Sequence, residues 1–251
     1  AESDFTKYAD EELNSLSGSG CSSVKAGETQ KDQTTGNEKK KLRGYHYEMC
    51  GHAEQCVERY LELANKDVST LKITGTPCID DHQLLPEDFN KKGELSACAA
   101  RIVLKCLYLA RMGRPDCLWA VNTLAREVTK WNVACDKRLQ KLIAYLHHTK
   151  HWVQKCWVGD SPEKSFLAFF ADASFAGDLR DSKSTSGAYL CLVGPNTFVP
   201  ISWLCKKQGA VSHSSTETEK ASLDKGLRLD GLPAMGIWDL RINVLEPLPK
   251  D

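Results

Sequence analysis

Apolar residues recur at helical spacing over three consecutive stretches in the middle of the chain. The stretches cover residues 95–112, 115–128 and 132–148, and Pro115 stands in the first turn of the second stretch, a position that helices favour for proline. Because the connections between the stretches are short, the pattern predicts a small three-helix subdomain at residues 91–157.

An earlier stretch, residues 47–65, also has helical spacing and lies within residues 44–90, which precede the three-helix subdomain. Residues 1–43 consist mainly of Ser, Gly, Thr, Lys and Glu and contain far fewer apolar side chains than the rest of the chain. Such a segment buries too little surface to offset the entropy that it loses on ordering. We therefore predict that residues 1–43 are disordered.

The pattern changes after Gly159 from helical spacing to short apolar runs separated by turn residues. Three such runs are followed by a helix that begins at Ser214. This order predicts an α/β fold, in which three strands plus a helix form a layer at residues 160–240 and a tail follows at residues 241–251. The predicted strands are residues 166–170, 186–193 and 198–204.

Formal charge is balanced over the whole chain but not along it. Residues 91–157 carry 13 basic and 4 acidic side chains, an excess that can attract phosphate groups. A non-catalytic nucleic-acid-binding module is therefore one candidate function, and an ordinary solvated helical surface is the alternative. The candidate phosphate contacts from the second and third helices are Arg126, Lys130, Lys137, Arg138 and Lys141.

The eleven cysteines are scattered singly, and several stand inside apolar runs. A disulfide-stapled secreted domain is usually shorter and denser in cysteine, so we expect reduced cysteines and an intracellular protein, either cytoplasmic or nuclear. No apolar run approaches the length of about 18–20 residues that a membrane-spanning helix needs. The sequence indicates no membrane partner and leaves the oligomeric state open.

Two acidic residues carry the strongest chemical signal. Asp172 stands at the end of the first predicted strand, and Glu219 stands near the start of the helix that follows the sheet. Carboxylates from a strand end and a facing helix can hold the metal ions of phosphodiester cleavage. Ser214 and Glu217 have capping-box spacing, and Glu217 and Glu219 lie about 200° apart on a helix, so we expect Glu219 to face the sheet. On spacing alone, a turn or capping role is the alternative.

Four short blocks occur in one order: residues 170–178 (FADASFAGD), 181–187 (DSKSTSG), 200–208 (PISWLCKKQ) and 214–219 (SSTETE). Together they resemble the ribonuclease H domain of copia-type retrotransposon polyproteins. Two upstream segments, residues 107–116 (LYLARMGRPD) and 144–149 (AYLHHT), resemble blocks near the end of the reverse transcriptase of that family. The likeness covers residues 44–225, so residues 44–90 resemble a reverse-transcriptase remnant.

The resemblance implies a parent enzyme that cleaves the RNA strand of an RNA–DNA hybrid with Mg²⁺. By position, Asp172 and Glu219 would be its first and second catalytic carboxylates and would bind the metal. Lys206 and Lys207 would contact backbone phosphates. Asp178 and Asp181 would either support the site or cap turns.

Departures from the family pattern bear on activity. The family supplies a third carboxylate from a later Asp-Asn motif, which this sequence lacks after Glu219, and Lys220 replaces an aromatic residue. We therefore expect a truncated ribonuclease H-like domain that does not cleave RNA. The alternatives are the nucleic-acid-binding module and an expressed fragment without a selected function.

Two further patterns resemble known sites. Cys78-Ile-Asp-Asp81 is similar to the Tyr-x-Asp-Asp motif of a polymerase palm but lacks the tyrosine. Cys50, His52 and Cys56 suggest a zinc site, but Cys56 falls on the apolar face of its helix and no fourth ligand stands nearby. We expect neither pattern to be functional.

Overall fold

The computed structural model describes residues 42–177 and 181–245, and it combines helices with one antiparallel sheet. The helices are α1 (Cys50–Ala64), α2 (Pro86–Asn90), α3 (Ala99–Met112), α4 (Leu118–Ala125), α5 (Val133–His148), α6 (Ser215–Gly226) and α7 (Leu232–Leu245). The strands are β1 (Arg43–Tyr47), β2 (Gln154–Val158), β3 (Phe166–Ser174), β4 (Thr185–Gly194) and β5 (Thr197–Lys207).

The five strands form one antiparallel sheet in the order β1-β2-β5-β4-β3. Strands β3, β4 and β5 are consecutive in the chain and form a meander, in which Asp172 lies opposite Gly187 and Gly187 lies opposite Cys205. Within the described residues, β3 pairs only with β4, so it forms one edge of the sheet. Its nine residues include no Lys, Pro or Gly.

The main hydrophobic core lies among helices α1, α3, α4 and α5. Helix α5 begins where Asn132 accepts a hydrogen bond from the backbone N–H of Cys135, as expected of a capping asparagine. Residues 44–90 contribute to the same core through α1, so they pack together with the three-helix region. The largest fully buried side chains are Tyr60, Ile102, Leu109, Leu124, Leu139, Leu142, Ile143 and Leu146.

Strand β5 joins the sheet to this helical layer. The indole Nε1 of Trp203 donates to the carbonyl of Ala110 at 2.9 Å, and the side chain of Asn122 donates to the carbonyl of Cys205 at 2.8 Å. On the opposite face of the sheet, Phe169 and Ala188 lie against Gly226 of α6. The sheet therefore separates the helical core from α6.

The predicted mixed α/β class, the three central helices and the three predicted strands are confirmed. Strands β1 and β2 were not predicted, and Arg43 opens β1, so the disorder prediction is wrong at that residue. Leu42, which also falls in that prediction, is described without regular secondary structure, and residues 1–41 lie outside the described residues. Helix α7 continues through Leu245, into the predicted tail. The ribonuclease H-like layering stays a prediction.

None of the helices in the described ranges combines the length and apolar character that crossing a membrane requires.

Candidate functional site

The first turn of α6 confirms the predicted capping arrangement. The hydroxyl of Ser214 accepts a hydrogen bond from the backbone N–H of Glu217 at 3.1 Å, and the carboxylate of Glu217 accepts one from the backbone N–H of His213 at 2.7 Å. Glu217 therefore takes part in the helix cap. The backbone N–H that it binds belongs to His213, one residue before the Ser214 N–H that a regular capping box uses.

Small side chains form the face of α6 that lies on the sheet. Thr218, Ser222 and Gly226 are buried at intervals of four residues. A Cβ atom on Gly226 would lie only 2.4 Å from Cζ of Phe169, which shows how closely the helix approaches β3. Glu219 is exposed, so its predicted orientation toward the sheet is wrong in detail: Thr218 occupies that position.

A buried polar network connects α6 to the sheet, and we call it the Gln208 network. The side-chain amide of Gln208 donates to the hydroxyl of Ser186 and to the carbonyl of Thr218, each at 3.0 Å. Its side-chain oxygen accepts from the hydroxyl of Ser212 at 3.3 Å. The hydroxyl of Ser184 lies 3.3 Å from that of Thr218. These five residues fall in or beside three of the four blocks, yet sequence reasoning assigned none of them a role.

Asp172 lies on β3 beside the second turn of α6. The hydroxyl of Ser222 donates to the main-chain carbonyl of Asp172 at 2.7 Å, and Glu219 precedes Ser222 by one turn, about 4.5 Å along the helix axis. On a helical wheel, Glu219 lies about 60° from the centre of the buried stripe and Glu217 about 140°. Glu219 therefore flanks the sheet-facing stripe, whereas Glu217 points away. Because side chains alternate along a strand and Phe169 faces α6, the carboxylate of Asp172 projects from the opposite face of β3. The two carboxylates can therefore share a metal only around the open edge of β3.

The carboxylates of Asp172 and Glu219 are exposed, and in the described part of the chain neither forms a hydrogen bond or ion pair. Mg²⁺ prefers oxygen ligands, keeps several waters and often uses one or two protein carboxylates together with substrate phosphates. The pair fits such a metal in ligand type. No group of three or more His, Cys, Asp or Glu side chains within residues 42–177 and 181–245 is arranged to hold a metal ion.

The two predicted lysines near this site differ in exposure and in their charged neighbours. Lys207 forms a 2.7 Å ion pair with Asp181, whereas Lys206 is exposed. Partial burial and the positive charge of Lys206 lower the pKa of Lys225 on α6. Lys206 is therefore the better placed of the two predicted lysines for a phosphate contact. Asp178 lies outside the described residues.

Two of the five predicted basic residues of the helical layer are held by acidic partners. Lys137 forms an ion pair with the buried carboxylate of Asp88, and Arg138 pairs with Asp81. Arg126 and Lys130 are exposed, and Lys141 is half-buried. Residues 44–90 contribute nine acidic and three basic side chains, so the basic excess of residues 91–157 is largely offset in the folded layer.

The two upstream blocks meet in a second buried network. The guanidinium of Arg114 is 3% exposed and donates to the carboxylate of Asp116 and to the carbonyl and hydroxyl of Thr149. The hydroxyl of Tyr145 also donates to Asp116, at 2.9 Å. The guanidinium carbon lies 5.5 Å from the ring centre of Trp152. These contacts join the end of α3 to the end of α5, a structural role that sequence spacing did not reveal.

Four side chains of the polymerase-like and zinc-like patterns have contacts within the protein. Asp80 accepts a hydrogen bond from the backbone N–H of His82, and Asp81 pairs with Arg138. Nε2 of His52 lies 3.1 Å from the carbonyl oxygen of Lys105, and Cys56 is buried in the helical core. These side chains contact the protein and form no metal-binding group among the described residues.

Comparison with known proteins places these features in a family. The chain is 32% identical over 173 residues to the retrovirus-related Pol polyprotein from transposon RE2 of Arabidopsis thaliana, a match that covers 64% of the chain and 10% of the polyprotein. It is 35% identical over 122 residues to the corresponding polyprotein from transposon RE1 of the same plant, covering 49% of the chain and 8% of the polyprotein. The chain thus spans about a tenth of the length of these relatives.

A shorter relative is matched over most of its own length. The chain is 30% identical over 119 residues to secreted RxLR effector protein 161 of Plasmopara viticola, covering 47% of the chain and 79% of that protein. No family model matches the chain, and no solved structure is significantly similar to it. From its similarity to the Pol polyproteins and the blocks that the structure brings together, the chain belongs to the retrovirus-related Pol polyproteins of copia-type transposons.

Proposed function

We propose that the chain supplies two metal-binding carboxylates, Asp172 and Glu219, to a ribonuclease H-like site that cleaves the RNA strand of RNA–DNA hybrids. The observation that carries the proposal is the contact between Ser222 and the carbonyl of Asp172, which holds the edge strand against the helix that bears Glu219. Both carboxylates are exposed and unpaired among the described residues, as ligands for a metal and a nucleic-acid phosphate need to be.

A bound divalent cation at this position supplies Lewis-acid activation of water and stabilises the departing oxygen. The two carboxylates provide oxygen ligands for it, and exposed Lys206 offers a positive charge for the phosphate backbone. Two-metal cleavage requires more ligands than this pair, and the described residues supply no third carboxylate to it. The proposal therefore includes the absence of hybrid cleavage by this chain alone.

Cleavage of a labelled RNA–DNA hybrid in Mg²⁺ tests both parts of the proposal. We expect no cleavage by this chain, and Mg²⁺-dependent cleavage when it is joined in frame to the region that follows the matching segment in the RE1 polyprotein. Asp172→Asn in the joined protein should abolish cleavage. Asp224→Asn, which alters an exposed acid that pairs with Arg228 on α6, should leave cleavage within about twofold of the parent.

Cleavage by the unextended chain would show that two carboxylates suffice and would overturn the second part of the proposal. Undiminished cleavage by the joined Asp172→Asn protein would instead overturn the assignment of the site.

We propose a second function, sequence-independent binding of nucleic acid by the helical layer. Among the five predicted contacts, exposed Arg126 and Lys130 favour it, whereas the ion pairs of Lys137 and Arg138 weaken their attraction for phosphate.

A further inference from the structure

Two buried side chains hold the main chain on which the candidate carboxylates stand. Gln208 donates to the carbonyl of Thr218, which belongs to the peptide bond between Thr218 and Glu219. Ser222 donates to the carbonyl of Asp172 itself and, at 3.2 Å, to that of Gly187 on the neighbouring strand. One contact thus restrains the backbone at each carboxylate.

We propose that Gln208 and Ser222 are positioning residues that set the separation between the carboxylates of Asp172 and Glu219. This inference rests on the proposed function of that pair and deepens it. Neither Gln208 nor Ser222 exposes a polar group for the metal, because both side chains are buried between α6 and the sheet.

The composition of the interface supports a positioning role. Helices usually pack on a sheet through apolar side chains, but the stripe of α6 consists of Thr218, Ser222 and Gly226. Hydrogen bonds have a narrow range of length and direction, whereas apolar contacts tolerate small shifts. An interface fixed by directional bonds therefore holds α6 in one register on β3 and β4, and a buried polar network of this kind specifies a single arrangement when its members are paired.

Binding of Mn²⁺ to the full chain, measured by electron paramagnetic resonance titration, tests the inference without any need for cleavage. Asp172→Asn and Glu219→Gln should each weaken Mn²⁺ binding, which checks the proposed function. Gln208→Met and Ser222→Ala should weaken it by about tenfold, the lower end of the effect found when groups that orient metal ligands are removed. Ser202→Ala is the matched control, because its hydroxyl donates to Asp230 beyond the end of α6, outside the Gln208 network.

A double-variant cycle separates positioning from general loss of stability. Gln208→Met should have no further effect on Mn²⁺ affinity when Glu219 is already Gln, because the group that it positions has gone. All titrations are run well below the melting temperature of each variant, and circular dichroism confirms folding. If Gln208→Met does not fold, Ser222→Ala and its cycle with Asp172→Asn decide the question.

The outcomes distinguish the two claims. Unchanged Mn²⁺ affinity in folded Gln208→Met and Ser222→Ala, or an equal loss in Ser202→Ala, overturns the positioning role while leaving the carboxylate pair in place. Mn²⁺ binding that does not depend on Asp172 or Glu219 overturns the proposed function and the inference with it.

Discussion

Among individual residues, Arg114 and Asp116 show best how a block that resembles the family can serve the fold rather than the chemistry. The Arg-Pro-Asp sequence resembles a block of the polymerase region, yet its two charged side chains face each other and Thr149 rather than a cleft. A buried guanidinium needs such partners, because leaving it unpaired in a low-dielectric interior is costly. The block therefore marks the junction of α3 and α5.

The pH dependence of stability tests this junction. Burial acts to raise the pKa of Asp116, but the hydrogen bond and positive charge of Arg114 lower it more, so the pKa lies below its ordinary value of 3.8. The carboxylate therefore stabilises the fold above pH 3.8, and that contribution is lost as the pH falls through the folded-state pKa. We expect Asp116→Asn to lower the free energy of unfolding by about 1–2 kcal/mol at pH 6.

Urea unfolding of both proteins from pH 6 downward measures the difference. It should shrink as the pH falls below 3.8, and a gap that stays constant to pH 2.5 would contradict the assigned role of Asp116.

At the level of secondary-structure elements, two glycines in neighbouring helices differ in the space around them. A Cβ at Gly226 in α6 would meet the ring of Phe169, whereas Gly236 in α7 has nothing within 4 Å of the corresponding position. Gly226→Ala should lower the free energy of unfolding by about 1–3 kcal/mol, because overpacking outweighs the better helix propensity of alanine. Gly236→Ala should raise it by up to about 1 kcal/mol.

Thermal or urea unfolding of the two variants makes a matched comparison, since both change the same residue type in adjacent helices. A stabilising effect of Gly226→Ala would contradict the close approach of α6 to β3.

The elements differ in how far the sequence predicts them. Helices α3 to α5 could be predicted because their buried side chains repeat at helical spacing around one core. Strand β1 could not, because only Gly44 and His46 are half-buried among exposed neighbours, which leaves little hydrophobic signal. The buried face of α6 could not be predicted either, because Thr, Ser and Gly are polar or flexible residues that give no hydrophobic signal. The resemblance identified Asp172 and Glu219. The role of Gln208, by contrast, depends on the register of β4 and β5, which the sequence does not reveal.

For the molecule as a whole, charge balance limits how nucleic acid can bind. Residues 44–157 carry 16 basic and 13 acidic side chains, and several acids of residues 44–90 pair with the basic helices. Binding therefore depends on the few exposed cations that lack such partners rather than on a general positive surface.

The salt dependence of nucleic-acid affinity tests that view. The double variant Arg126→Gln, Lys130→Gln should weaken binding and reduce the slope of log affinity against log salt concentration by about 2, close to one per lost phosphate contact. Lys137→Gln is the control and should change the slope by less than about 0.5, because that lysine already pairs with Asp88. An affinity that does not vary with salt in the parent chain would reject phosphate binding by this layer.

The edge position of β3 has a practical consequence for handling the protein. Along the described chain, the outward-facing amides and carbonyls of Phe166–Ser174 meet no neighbouring strand, and Phe166 and Phe170 are each 59% exposed. The strand has no lysine, proline or bulge to discourage pairing, so we expect molecules to associate through this edge at high concentration. Asp172, the one charge on the strand, would be covered in such aggregates, so metal titrations require dilute, monodisperse samples.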